Sequence, residues 1–462
     1  MHPSPSLQQR MFQCAADRPL FVRSAQLAQD YMTGVADQPV FPPEAALTGL
    51  TGFDGPLPDE PCDPAAMLRQ LHDLGSPATT ATTGGRYFGF VTGGVLPPVV
   101  AAKWLADAWD QNAALYVMSP VASRLESVCQ AWLIDLLGLP AGCVAGFVGG
   151  TSTATAVGLA AARQELLRRQ GWDVNAKGLF GAPPIRVVIG AEAHSTVFKA
   201  LALLGLGRER VELVPVDGQG RMQAGALPAL DQHTLVFTQA GNVNTGSFDP
   251  FDEICDRAAE AGSWVHVDGA FGLWAAASPR LRHLVKGAAR ADSWSVDAHK
   301  TLNAPYDCGI LLCRHSEATV MAMQNTGAYI VYSEKRDGML YTPEMSRRGR
   351  GIELWATLKT LGRRGTAELV EELCDRARQA SGLLRHEGFR ILNEVVFNQV
   401  LVACDTGEHT LATLQRLQAS GECWCGGTSW QGQTAIRLSV CSWASTPEDI
   451  DRTVAAFVNA RG

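Results

Sequence analysis

The chain has 462 residues, of which 46% are hydrophobic and 18% charged, a balance typical of a soluble globular protein with two or three packed units. Its formal charge is −7, and lysine and arginine are scattered along the chain, which argues against a nucleic-acid partner. No stretch approaches the roughly 18 consecutive apolar residues that span a bilayer, and the first ten residues lack a basic-then-apolar signal pattern. We therefore predict a cytoplasmic protein without a membrane partner.

The first two regions of the chain differ in pattern. Residues 1–82 carry helical patches broken by Pro- and Gly-rich pieces and end in a polar run, which indicates an arm that packs against a neighbour. Residues 83–365 alternate helical segments with short β-branched runs that begin at Ile185, Val211, Thr234, Ser263, Asp292 and Gly309. Such alternation predicts a large α/β domain with a mostly parallel sheet covered by helices on both faces.

The pattern changes again in residues 366–462. A long helix is predicted from Thr366 to Leu384, followed by strands near Phe397 and Thr434 and a closing helix from Pro447. We predict a small C-terminal α+β domain. The twelve cysteines are spread from Cys14 to Cys441 without a CxxC pair, which favours buried free thiols over a metal site.

Two glycines and a hydroxyl cluster precede an alanine-rich helix in the segment 149–163. Backbone N–H groups at Gly150 and beyond, together with the positive end of the helix dipole, suit a phosphate group, and Thr151 and Ser152 add hydroxyl donors. A Ser/Thr-capped helix without a ligand has the same pattern, so both interpretations stay open for this motif alone. No GxxxxGK[ST] motif occurs, and no GxGxxG follows a strand.

Two further segments follow predicted strands. His194 begins a helix soon after the Ile185 run, where an imidazole could stack on a flat aromatic ligand, although a histidine there is more often a cap or packing residue. Asn242 and Asn244 lie in a turn-rich loop after the Thr234 run, and their amides could orient a neighbouring carboxylate such as Asp268. A simple connecting loop explains the same residues.

Lys300 and Asp268 form the most informative pair. Asp268 ends the apolar run from Trp264, and Lys300 follows it by thirty-two residues, directly after the run from Asp292. Both side chains are therefore expected at the C-terminal edge of the sheet, where open α/β sheets bind ligands. A partly desolvated lysine that forms an imine and a carboxylate that keeps a pyridine nitrogen protonated are the groups that pyridoxal 5′-phosphate (PLP) requires.

With these segments in hand, the chain resembles the PLP-dependent group II amino-acid decarboxylases of fold type I, the family of the aromatic amino-acid, glutamate and histidine decarboxylases. The resemblance runs from about Arg86 to the C-terminus. It is carried by Arg86-Tyr-Phe-Gly-Phe, the segment 119–126, Ala193-His-Ser, His266-Val-Asp-Gly-Ala270, Ala298-His-Lys300, Asp307-Cys308 and Arg437-Leu-Ser-Val. It implies a seven-stranded, mostly parallel sheet, an amino-acid substrate and a homodimer whose N-terminal arm wraps the partner.

The resemblance also implies roles for individual residues. Lys300 would hold PLP as an internal aldimine, Asp268 would pair with the pyridine nitrogen, His194 would stack on the ring and Ala270 would pack beneath it. The phosphate would be held by Gly150, Thr151, Ser152 and His299, with Asn244 among the cofactor contacts. Tyr87, Phe88 and Arg437 would face the substrate, Arg437 gripping a carboxylate.

The chain departs from the family pattern at three places, one of which is Gly84-Gly-Arg86, where the family often has a His-Pro before its aromatic pocket residues. It reads Asp297-Ala-His-Lys where the decarboxylases read Asn-Pro-His-Lys, which adds a negative charge close to the phosphate site. The loop expected to close the active site, roughly Tyr329 to Arg348, is shorter than in the family. The resemblance implies that a tyrosine on this loop donates a proton to Cα, and the candidates here are Tyr341 and Tyr332. If neither reaches Cα, an aldehyde synthase or an aldolase-type carbon–carbon lyase becomes possible. These two and a transaminase are the alternative reactions on the same scaffold, and a PLP-binding protein without turnover is the second alternative.

Overall fold

The computed structural model describes residues 5–324 and 332–462. Its α-helices, in chain order, are α1 (Leu7–Ala16), α2 (Arg18–Gly34), α3 (Glu44–Gly49), α4 (Pro64–Gln70), α5 (Pro97–Trp109), α6 (Pro120–Leu136), α7 (Thr151–Arg169), α8 (Val174–Lys177), α9 (Ser195–Leu203), α10 (Phe251–Ala261), α11 (Ser316–Met323), α12 (Gly351–His386), α13 (Gly407–Ala419) and α14 (Pro447–Arg461). In this part of the chain, no helix is both long and apolar enough to cross a membrane.

A seven-stranded sheet lies between these helices. Its strands are β1 (Val144–Val148), β2 (Arg186–Gly190), β3 (Val211–Val214), β4 (Thr234–Gln239), β5 (Trp264–Asp268), β6 (Ser293–Asp297) and β7 (Gly309–Cys313), in the spatial order β1-β7-β6-β5-β4-β2-β3. The pairs from β3 to β6 are parallel, and β7 runs antiparallel to both β6 and β1. The predicted mostly parallel seven-stranded sheet is therefore confirmed.

Helices cover both faces of this sheet, as its composition predicts. Successive strand residues point to opposite faces. On β4, Val236 packs in the same apolar cluster as Ile254 of α10, whereas Leu235 and Phe237 pack in a second cluster with Leu159 of α7. Burial on both sides explains why the strand sequences are continuous apolar runs.

A second sheet follows in the C-terminal part. Strands β8 (Arg390–Ile391), β9 (Gln399–Ala403), β10 (Gly426–Trp430) and β11 (Gln433–Ser439) are antiparallel in the order β10-β11-β9-β8. Helix α12 begins well before the predicted start at Thr366 and kinks at Gly362, whose φ is +61°, a value that glycine adopts readily. The two helices at the start of the chain, α1 and α2, bury no side chain.

Candidate active site

A cavity of about 440 Å³ opens at the C-terminal edge of the large sheet. It lies where β5 and β6 end and where the turn after β1 leads into α7. Nine of the predicted cofactor and substrate residues line it, namely Gly150, Thr151, Ser152, His194, Asp268, Ala270, His299, Lys300 and Arg437. Parallel strands end at the same sheet edge, which is why residues far apart in the sequence converge there.

Lys300 lies in the turn that follows β6. Its side chain is 22% exposed, and its Nζ atom lies 3.1 Å from Oδ2 of Asp297. The turn is closed by the backbone N–H of Asn303, which donates to the Lys300 carbonyl at 3.0 Å. Gly93 approaches so closely that a side chain there would collide with the Lys300 carbonyl. The lysine is thus fixed at the cavity wall with its amine accessible.

Asp268 is the last residue of β5 and is buried. Its Oδ1 atom accepts a hydrogen bond from the backbone N–H of Ala270 at 3.1 Å. Burial raises the pKa of Asp268 to about 6, although the nearby Lys300 charge opposes the increase. A buried carboxylate of this kind is suited to bind a cationic or N–H group of a ligand in the cavity.

The start of α7 supplies hydrogen-bond donors. The N–H of Thr151 donates to Oδ1 of Asp297 at 2.7 Å. The Oγ1 atom of Thr151 is buried and has no hydrogen-bond partner within residues 5–324 and 332–462. A buried hydroxyl without a partner is costly unless a ligand completes it, and the helix N-terminus favours an anion.

His299 is held between the backbone and an aromatic ring. Its Nδ1 atom accepts from the N–H of Cys308 at 3.1 Å, and its ring stacks on Tyr306 with centroids 4.3 Å apart. Burial lowers the pKa of His299. The neutral ring therefore carries its proton on Nε2, which lies 3.6 Å from Oδ2 of Asp297.

His194 caps α9 and contributes to the opposite side of the cavity. Its Nδ1 atom lies 2.8 Å from Oγ1 of Thr196, and its backbone N–H donates to Oε1 of Gln239 at 3.2 Å. Burial, with the charges of Lys300 and Arg437, lowers its pKa to about 4. His194 is therefore an uncharged flat ring at neutral pH.

Arg437 on β11 brings a cation from the C-terminal sheet. Its Nη1 atom donates to the carbonyl of Val243 at 3.3 Å. Its Nε atom is buried and finds no partner in the described part of the chain, and burial lowers the pKa of its guanidinium. This unpaired donor is suited to an anionic group such as a carboxylate.

Two other predicted residues lie behind the cavity rather than on its surface. Tyr87 is buried and stacks on Trp424 with centroids 5.3 Å apart. Phe88 is fully buried in the apolar core that α12 and α14 share with the C-terminal sheet. Phe88 faces the core, whereas Phe90, two residues on, is exposed and lines the cavity; strand alternation would place both on one face, and the left-handed backbone at Phe90, with a φ of +54°, breaks that pattern.

Asn244 and Tyr341 are also absent from the cavity lining. Oδ1 of Asn244 accepts from Oγ1 of Thr428 at 2.9 Å, which ties its loop to β10. Tyr341 packs beneath the guanidinium of Arg336, whose Cζ atom lies 4.5 Å from the ring centroid. Part of the loop predicted at 329–348, Tyr329 to Val331, lies outside the described residues.

The cavity also contains residues to which the sequence pointed only weakly. Gln239 ends β4, and the rule that identified Asp268 at the end of β5 applies to it equally. Tyr306 lies in the turn between Lys300 and Asp307, and burial raises its pKa to about 12. Phe90 has a φ of +54°, a backbone conformation that is rare for a bulky residue and that the sequence does not predict.

Residues 51–403 match the family model described as the pyridoxal-dependent decarboxylase conserved domain, and the chain belongs to this family. Tryptophan decarboxylase 1 of Oryza sativa subsp. japonica is 25% identical over 91% of this chain and 88% of its own length. The acidic amino acid decarboxylase GADL1 of Mus musculus is 30% identical over 68% of this chain and 59% of its own length. The crystal structure of Oryza sativa TDC with PLP and tryptamine superposes with a TM-score of 0.86 at 23% identity, covering 96% of this chain and 97% of that one.

The protein is thus a PLP-dependent decarboxylase at the level of its family, and its cofactor is PLP. The cavity fits this cofactor chemically. The unpartnered Thr151 hydroxyl and the start of α7 suit its phosphate, the buried Asp268 suits its ring nitrogen, and the Lys300 amine suits its aldehyde.

Proposed function

We propose that the protein is an L-amino-acid decarboxylase that releases CO₂ and an amine, with Lys300 as the residue that binds the cofactor covalently. The observation that carries the proposal is the placement of Lys300 and Asp268 on one cavity, at the ends of the neighbouring strands β6 and β5. When bound, PLP supplies an electron sink for the pair of electrons that departing CO₂ leaves on Cα.

The residues around the cavity divide this task. Asp268 would hold a proton at the ring nitrogen. The flat neutral ring of His194 would lie against the cofactor, with Ala270 packing beneath it. Gly150, Thr151, Ser152 and His299 would bind the phosphate, and the N–H groups and hydroxyls at the start of α7 support this placement. Asn244 would act indirectly, by anchoring its loop to β10.

We propose that Arg437 binds the substrate carboxylate. Its guanidinium is buried at the cavity and keeps one N–H unpaired in the described part of the chain, so a bound carboxylate would satisfy a donor that is otherwise costly to bury. The curated relatives are named for tryptophan and for acidic amino acids, and the proposal covers both classes. Tyr87 and Phe88 would support the pocket from behind, through Trp424 and the core.

The proton that replaces CO₂ on Cα requires a donor. Tyr306 lines the cavity, and its high pKa keeps the hydroxyl protonated at neutral pH. Tyr341 is absent from the cavity lining of its own chain, so a role for it requires that it reach the cavity of a second copy. We propose Tyr306 as the donor within one chain, with Tyr341 as the alternative across an interface.

We further propose a homodimer in the cytoplasm, with an arm at 1–82, a cofactor domain at 83–365 and a small domain at 366–462. Apolar side chains on α1 and α2, among them Leu7, Phe12 and Phe21, are exposed and would be covered by a second copy. The twelve cysteines are free, which suits a reducing compartment. Sedimentation velocity of the full chain measures the predicted dimer.

The proposed reaction is tested with a panel of L-amino acids, in which CO₂, amine, ammonia and H₂O₂ are measured separately. Amine and CO₂ in equal amounts support decarboxylation. Aldehyde with ammonia and H₂O₂ would indicate an aldehyde synthase instead, and a carbon–carbon cleavage product would indicate an aldolase-type lyase. If no amino acid is turned over, the proposed reaction is refuted and the protein binds PLP without catalysis.

Lys300→Ala tests the attachment of the cofactor. The variant should lose the visible absorbance band of the bound cofactor and all turnover. Lys199→Ala is the matched control, because Lys199 is an exposed lysine on α9 away from the cavity. Full absorbance and activity in Lys300→Ala would refute the role of this lysine.

A further inference from the structure

Asp297, the residue at which this chain departs from the family pattern, points into the cavity. It ends β6, and its side chain is 3% exposed. Oδ1 accepts the N–H of Thr151 at 2.7 Å, while Oδ2 lies 3.1 Å from Nζ of Lys300 and 3.6 Å from Nε2 of His299. One carboxylate therefore contacts both the helix start and the lysine.

The position that Asp297 occupies is suited to an anion. The N–H of Thr151 is the first of α7, a helix of 19 residues, and its dipole favours negative charge at this end. The neighbouring Oγ1 of Thr151 is buried without a partner in the described part of the chain, so the site has donors that Asp297 alone does not satisfy. The backbone at Gly150, the cap residue, is not crowded. A Cβ atom added there would lie 3.5 Å from Cε1 of His299 and 3.7 Å from Oδ1 of Asp297, which are ordinary van der Waals distances.

We infer that Asp297 sets the affinity of this site for the cofactor phosphate, by holding the Thr151 N–H in the cofactor-free chain and by keeping a carboxylate beside the bound phosphate. The inference rests on the proposed placement of the phosphate at the start of α7. Two anions that share one helix N-terminus repel each other, and the low-polarity surroundings of Asp297 screen this repulsion poorly.

A neutral amide in the same place would act differently. In Asp297→Asn, the amide oxygen could still accept the Thr151 N–H, and the NH₂ group could donate to a phosphate oxygen. The change also removes the ion pair with Lys300, which affects any ligand that reacts with the lysine. Pyridoxal, which lacks the phosphate, shares that second effect but not the first, so the ratio of the two affinities isolates the phosphate contribution.

The experiment measures dissociation constants of PLP and pyridoxal for the cofactor-free full chain, as wild type and as Asp297→Asn, by absorbance titration. We expect Asp297→Asn to bind PLP at least about tenfold more tightly, with a change for pyridoxal of less than about threefold. The inhibition constant of inorganic phosphate, obtained from its competition with PLP, should be correspondingly lower in the variant. Asp297→Ser, which also removes the charge, should shift the ratio in the same direction and serves if the first variant does not fold.

Asp292→Asn is the matched control. It removes the same charge just before the other end of β6, about 16 Å away along the strand, and should leave both dissociation constants unchanged. An unchanged or lower ratio of PLP to pyridoxal affinity in the Asp297 variants would overturn the inference while leaving the proposed decarboxylase intact. If the wild-type chain and both Asp297 variants all bind pyridoxal as tightly as PLP, the inference is overturned together with the proposed phosphate position.

Discussion

Asp268→Asn tests two properties of Asp268: the charge that it carries in the cavity and its role toward the cofactor. Burial raises the pKa of the Asp268 carboxyl from 3.8 to about 6 in the cofactor-free chain. At neutral pH the folded chain therefore holds an ionised carboxylate at a cost of about 3 kcal/mol. Asparagine keeps the oxygen that accepts the Ala270 N–H and removes this cost.

The sign of the effect follows from the direction of the pKa change. A group with a raised pKa in the folded state contributes stability below its unfolded pKa of 3.8, and that contribution is lost as pH rises through about 6. The free energy of unfolding of Asp268→Asn should thus exceed that of the wild type by about 1 kcal/mol at pH 4.5 and by about 3 kcal/mol at pH 7.5.

Thermal unfolding of the cofactor-free proteins measures this difference. An unfolding entropy of about 2.1 cal/mol/K per residue gives about 1 kcal/mol/K for 462 residues. The advantage of the variant in Tm should therefore grow by about 2 °C between pH 4.5 and pH 7.5. With PLP bound, a positively charged ring nitrogen should offset the cost of the buried Asp268 charge. The cofactor should therefore raise the Tm of the wild type more than the Tm of the variant.

Turnover supplies the functional half of the same prediction. Asp268→Asn should lower it by orders of magnitude, since an amide holds a proton at the ring nitrogen far less well than a carboxylate does. A difference in Tm that does not change with pH would refute the assignment of the pKa to Asp268, and near-normal turnover would refute its role toward the cofactor.

Two further predictions concern a buried cluster of ion pairs and the proton donor. Glu126, which is fully buried, pairs with Arg347 at 2.7 Å and Arg336 at 3.0 Å, so Glu126→Gln should lower the free energy of unfolding by about 3–5 kcal/mol. Thermal unfolding measures this loss. The control Asp107→Asn, at an exposed residue, should lower the free energy of unfolding by less than about 1 kcal/mol, and equal losses in the two variants would contradict the reasoning. Tyr306→Phe should lower the yield of amine per CO₂ more than Tyr341→Phe does, as product analysis would show, and the reverse order would move the proton donor to Tyr341.

Much of the fold is predictable from local sequence. Six of the seven strands of the large sheet are located by β-branched runs, because strands buried on both faces are short, apolar and bounded by turns. The missed strand, β1, reads Val144-Ala-Gly-Phe-Val, and alanine and glycine weaken the strand signal there. In the C-terminal part, β10 begins with two glycines and escapes prediction for the same reason.

The residues that converge on the cavity are identifiable from the sequence because they follow strand ends. Lys300 and Asp268 are placed there by the geometry of parallel strands alone. Their partners are not predictable in this way. The Asn242 amide, expected near Asp268, instead donates to the Glu192 carbonyl at 3.2 Å, and Asp268 accepts from the Ala270 backbone.

The sequence by itself determined the class of fold, the cofactor chemistry and the unusual carboxylate at Asp297, since each depends on residue type and local spacing. Only the tertiary structure decided where that carboxylate points, that Tyr341 packs under Arg336 and that Tyr306 lines the cavity. These outcomes depend on side-chain rotamers and on contacts between segments distant in the chain, which local periodicity does not encode.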